Sequence, residues 1–113
     1  MRKASLVLLA LVFALPLSLS AETWKGVSLM DGGCAKHAEK LATPDTHTKE
    51  CALKCSKAGY GTVVDGKFIK FDAKGNEMVK DALMKSDKKD HLRANVTGEM
   101  KDGEIHVSAL KLE

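Results

Sequence analysis

Tyr60-Gly61-Thr62-Val63-Val64-Asp65-Gly66-Lys67-Phe68-Ile69-Lys70-Phe71 decides the fold class. Two β-prone runs flank Asp65-Gly66. An Asp-Gly pair in that setting favours a two-residue type I′ turn, since both central residues need a positive φ. Ile69 and Phe71 then share one face of the second strand, two residues apart.

Beyond the hairpin, Asp72 to Gly75 reads as a polar turn, and Asn76 as the cap of a helix with Glu77 in its first turn. Val79, Ala82 and Leu83 form an apolar stripe at helical spacing, flanked by Met78 and Met84. Such a stripe is read as core contact rather than a methionine-rich metal site. Ser86 to Asp90 is a solvated loop. Leu92, Ala94, Val96 and Gly98 alternate with Arg93, Asn95 and Thr97 as in a strand, and Lys101-Asp102-Gly103 is a second hairpin turn. The last strand covers Glu104 to Leu112. Ile105 and Val107 stand in one register, Leu110 and Leu112 in the other, so a bulge near Ser108 or Ala109 is needed to turn both pairs inward.

On the other side, Thr23 to Met30 reads as the first strand, with Val27 and Leu29 toward the core and Asp31-Gly32-Gly33 ending it. A short helix is expected over Cys34 to Leu41, broken at Thr43-Pro44-Asp45 because a residue before proline avoids the helical region. A second helix is expected over Lys49 to Lys57, with Thr46 or Thr48 as cap and Gly59 as the left-handed residue after it. The order is strand, helical insert, two strands, helix, two strands. The expected fold is therefore mainly β with short helices (α+β). It is a five-stranded antiparallel OB-like barrel with a Cys/His-containing helical insertion between strands 1 and 2.

The first residues have the layout of a secretory signal peptide. Arg2 and Lys3 are a positive start, Ser5 to Leu15 an apolar run too short for a comfortable membrane span, and Pro16 breaks it. Ser18, Ser20 and Ala21 suit cleavage after Ser20 or Ala21. The expected division is 1-21 signal peptide and 22-113 a single OB-like domain, exported and then periplasmic or secreted, with no transmembrane span in the mature chain. The full chain carries 18 basic and 15 acidic residues. Arg2 and Lys3 leave with the signal, so the mature charge is +1. That balance suggests neither a nucleic acid nor an anionic membrane as partner. The aromatic residues are one Trp, one Tyr and three Phe, with Phe13 in the signal, so platforms for stacking bases are thin.

All three cysteines and two of the four histidines fall in one segment, Cys34-x2-His37-x9-His47-x3-Cys51-x3-Cys55. Positions four apart share a helix face, so Cys51 and Cys55 are paired on the second helix. Cys34 and His37 are three apart on the first. Three readings follow. A disulfide of Cys34 with Cys51 or Cys55 would staple a small exported domain, contributing about 3 kcal/mol, and leaves one cysteine over. Alternatively Cys34, His37, His47, Cys51 and Cys55 are candidate ligands for zinc or copper, since thiolate and imidazole suit both. The third is thiol–disulfide exchange through Cys51 and Cys55 with Cys34 as resolving residue, which needs a depressed thiol pKa, helped by Lys54 or a helix N-terminus. His91 and His106 stand alone and read as surface residues.

The opening Thr23-Trp24-Lys25-Gly26, the Cys34-x2-His37 after it, Cys51-Ala52-Leu53-Lys54-Cys55 leading to Gly59-Tyr60-Gly61, and Val96-Thr97-Gly98 with Ile105-His106-Val107 together resemble a group of small exported bacterial proteins. Those proteins have an OB-like fold and are mostly without assigned function. The resemblance spans nearly the whole mature chain and implies fold and export. No Ser-His-Asp arrangement and no phosphate-cradling glycine loop can be built from the sequence, so an enzyme is not the preferred reading. The preferred expectation is a non-enzymatic binding module for an unknown small ligand, envelope component or protein, stapled by a disulfide within the segment from Cys34 to Cys55.

Overall fold

The computed structural model describes residues 21–113. The expected signal peptide lies outside the described residues, apart from Ala21. The strands are β1 (Glu22–Asp31), β2 (Tyr60–Val64), β3 (Lys67–Phe71), β4 (Arg93–Lys101) and β5 (Glu104–Leu112). Helices α1 (Ala38–Ala42) and α2 (Lys49–Lys54) lie between β1 and β2, and α3 (Ala73–Lys85) between β3 and β4.

The hairpin forms as its sequence dictates. Val64 pairs with Lys67, and Asp65 and Gly66 take φ of +51° and +75°, the two positive values a type I′ turn requires. Asp102 and Gly103 repeat this at +52° and +78° between β4 and β5. The bulge in the last strand also forms. Thr97 faces Ala109 and Gly98 faces Val107, so Ser108 is the extra residue. Ile105 and Val107 are buried, and Leu110 and Leu112 pack against the same core.

The five strands close into a ring in the order β1-β2-β3-β5-β4. All seams are antiparallel except β3–β5, which is parallel. The wholly antiparallel expectation is thereby corrected. The reason is topological: strand directions cannot alternate all the way round a ring with an odd number of members.

The start of α3 differs from expectation. Its cap is Asp72, four residues before Asn76. Asp72 Oδ1 accepts from the backbone N–H of Gly75 at 3.0 Å and of Val107 at 3.1 Å, so one carboxylate caps the helix and fastens it to β5. Gly75 suggested a turn, but its lack of a side chain serves packing. A Cβ there would lie 2.6 Å from Val107 Cγ2 and 2.8 Å from Phe71 Cβ. Asn76 instead uses its side-chain oxygen to accept from Tyr60 N at 2.8 Å. Val79 and Leu83 are fully buried in the core with Leu29, Tyr60, Phe71, Leu92, Ala94, Val96, Ile105 and Val107. Asp72→Ala removes both bonds and leaves Val107 N without this partner. A loss of about 1–2 kcal/mol is expected in urea unfolding, with Asp72→Asn recovering part of it.

A candidate metal centre at the base of the insert

The insert is short helical pieces joined by extended residues. Cys34–Lys36 is a single 3₁₀ turn, and His37 is extended with φ −98° and ψ 116°. The expected continuous helix from Cys34 to Leu41 is therefore interrupted, and Cys34 and His37 do not share a helical face. Pro44–Thr46 forms another 3₁₀ turn, after which His47 is again extended. α2 begins at Thr48, whose side chain accepts from Cys51 N at 3.1 Å as a cap. It stops at Lys54, and a 3₁₀ turn over Ser56–Ala58 leads to Gly59. Gly59 has the expected positive φ of +75° but an extended ψ of 176°.

Backbone and side-chain bonds dock these pieces on the ring. Asp45 receives Arg93 through both nitrogens, Nε at 3.0 Å and Nη2 at 2.5 Å, and Asp45 O accepts from His91 N at 3.1 Å. The Arg93 guanidinium holds the Asp45 carboxyl below the usual carboxylate range. Lys49 N donates to Lys89 O at 2.8 Å. Residues 44–47 are thus held against the end of β1, which brings His47 to Asp31.

Asp31, the last residue of β1, is fully buried, and His47 is only 5% exposed. Asp31 Oδ2 accepts from Cys34 N at 2.8 Å, fixing the carboxylate. Asp31 Oδ1 lies 2.7 Å from His47 Nε2. The distance is that of an ion pair, yet neither atom has an aligned hydrogen-bond partner. Each atom's partner is the other, in a geometry outside hydrogen-bond alignment, and such a misaligned buried pair is uncommon. Burial pulls the His47 pKa down against the opposing pull of Asp31, which favours the neutral imidazole, the form that binds metal. Cys34 Sγ completes the group: its ligand atom and those of Asp31 and His47 all lie within 4.8 Å of one another. Two ligands of a tetrahedral zinc at about 2.0–2.3 Å stand roughly 3.3–3.8 Å apart. Asp31, Cys34 and His47 therefore form a cluster that could hold a metal ion once the Asp31–His47 pair opens to admit it.

The expected ligands divide accordingly. Cys34 and His47 are in the cluster. His37 and Cys51 are exposed, and Cys55 is half-buried beside it. Asp31 is the member of the cluster that sequence reasoning missed. It was read as part of an Asp-Gly-Gly turn, and its only signal was its place three residues before Cys34. All three cysteines are free thiols in this structure, where a bridge from Cys34 to Cys51 or Cys55 was expected. Cys34 engages Asp31 instead. Burial, and then the adjacent Asp31 carboxylate, push its thiol up to about 11, the opposite of what an exchanging thiol needs. Lys54, considered as an activating cation, is an exposed side chain 3.4 Å from Glu50.

Searches of protein-family models, curated proteins and solved structures found no match. The chemistry of this site therefore stands on its own residues. Among the described residues no helix is long and apolar enough to cross a membrane.

Proposed function

We propose that this chain is a small exported metal-binding protein, and that Asp31, Cys34 and His47 hold a zinc ion at the junction of β1 and the insert. The observation that carries this reading is the convergence of Asp31 Oδ1, His47 Nε2 and Cys34 Sγ, the first two buried and facing each other without an aligned hydrogen bond. One cation would satisfy both atoms and replace the Cys34 proton. A carboxylate, an imidazole and a thiolate together suit zinc, whereas copper(I) favours softer, all-sulfur surroundings. The ring order, with α3 between β3 and β4, supports the OB-like assignment, and the resemblance to small exported proteins agrees with it. The ion would staple the insert to the ring, as the disulfide was expected to do. Any partner, whether a small ligand, an envelope component or a protein, would then meet a rigid insert.

The test is metal analysis of protein purified under reducing conditions without chelator. About one zinc per chain is expected, with loss in Asp31→Ala and His47→Ala. Metal content unaltered by both substitutions would refute the reading. The second reading is a disulfide joining Cys34 to Cys55. It is favoured by the position of Cys55 Cβ, 3.9 Å from where a side chain on Gly33 would begin. Mass measurement without reductant separates the two, because Cys34 cannot serve both at once.

A further inference from the structure

We infer that Cys55 is the fourth ligand of the Asp31–Cys34–His47 site, closing it with two thiolates, one imidazole and one carboxylate. This rests on the metal-binding reading above. Three protein ligands leave one corner of a tetrahedron, and structural zinc sites fill all four with protein.

Cys55 lies outside the three residues whose ligand atoms converge within 4.8 Å, and Gly32 and Gly33 show how its backbone is brought beside them. Gly33 has φ −68° and ψ −50°, which any residue adopts, so its glycine is not needed for backbone freedom. What the pair provides is room. A Cβ on Gly32 would lie 2.7 Å from Ala58 O, and Gly32 N donates to Gly59 O at 2.9 Å. A Cβ on Gly33 would lie 3.0 Å from Asp31 Oδ2 and 3.9 Å from Cys55 Cβ. Residues 55–59 are thus laid against the turn that joins Asp31 to Cys34. Cys55 stands there at the end of α2, with φ −96° and ψ 22°, where the backbone is no longer held in the regular helix. Cys51 is exposed one turn earlier, and His37 is exposed on an extended residue, so neither competes.

Closure determines the chemistry. Four protein ligands leave no open position for a substrate or an activated water, so the site holds metal rather than catalysing with it. Loading would release the thiol protons of Cys34 and Cys55 to solvent, two per divalent ion, where a site using Cys34 alone would release one.

Cobalt(II) is the probe, read by its thiolate charge-transfer absorption and by proton release in weak buffer. The full reduced chain is expected to take up one cobalt with two protons released. Cys55→Ser is expected to show about half the charge-transfer absorbance per bound cobalt and one proton. Cys51→Ser and His37→Ala should match the unsubstituted chain. Cys55→Asp, which restores a ligand without a thiolate, should keep four-coordinate visible absorption with the halved charge transfer, and shows that loss in Cys55→Ser is not misfolding. Cobalt bound identically in Cys55→Ser and the unsubstituted chain overturns this inference and leaves the three-residue site standing. Loss in Cys51→Ser instead overturns it in favour of Cys51. No uptake by the reduced, unsubstituted chain overturns the metal-binding reading as well.

Discussion

Zinc at a hundredfold excess over its dissociation constant is expected to raise the melting temperature of the reduced protein by roughly 10–20 °C. A ligand that binds only the folded state at that excess contributes about 2.7 kcal/mol. In a domain of this size each kcal/mol moves the midpoint by about 4–8 °C. The effect should concentrate in the insert, because the ligands tie together the end of β1, the first 3₁₀ turn and the start of α2. Apart from the hydrogen bonds that dock it, the insert buries little, since Ala52 and His47 are its only buried residues. Hydrogen exchange between residues 33 and 58 should therefore slow on adding zinc, with the ring strands changing less. His47→Ala should abolish the shift, and a strong chelator should reverse it in the unsubstituted chain. A zinc-independent midpoint in reduced protein would remove the site from consideration.

Leu83→Ala is expected to be the most damaging single core substitution on α3, costing about 2–5 kcal/mol. Leu83 is fully buried, and it shares one core cluster with Leu29, Tyr60, Phe71, Val96 and Ile105, one residue from each ring strand. Shortening it leaves a cavity whose walls belong to the ring and cannot easily collapse. That loss is a large part of the 5–15 kcal/mol typical of a whole domain. Its neighbour Met84 is 65% exposed, so Met84→Ala should change stability by only about 0.5 kcal/mol or less. Urea midpoints of the two variants provide the comparison. Zinc stoichiometry should survive Leu83→Ala under conditions where the variant remains folded, because Leu83 is not part of the metal cluster. Equal effects of the two substitutions would mean that α3 is not seated as described.

The two halves of the chain differ in how far they could be read. From Tyr60 onward, local chemistry and global fold agree except at the start of α3, where Asp72 rather than Asn76 is the cap. Asp65-Gly66 and Asp102-Gly103 require positive φ and take it. The mismatched registers of Ile105 with Val107 and Leu110 with Leu112 required a bulge, and Ser108 provides it. Each of these signals involves residues near one another in sequence, where alternation and turn geometry dominate. The parallel β3–β5 seam overturned the antiparallel expectation, because a closed ring of five strands forbids full alternation. It follows from closure rather than from any residue.

The Cys/His segment by itself identified where soft ligands are concentrated, and correctly included Cys34 and His47. Helical spacing then grouped Cys34 with His37, which fails because His37 is extended and the helix is interrupted there. Asp31 could not be recognised from spacing. An aspartate before two glycines is ordinary turn chemistry in sequence, and only burial distinguishes this one. That burial is tertiary: Arg93 and His91 hold Asp45, Asp45 holds the turn before His47, and His47 then covers the end of β1. The amino-acid sequence alone therefore determined the strands, their turns and the stock of ligands. The tertiary structure decided which of these side chains meet, because Asp31 and His47, 16 residues apart, are brought within 2.7 Å by contacts with a third segment.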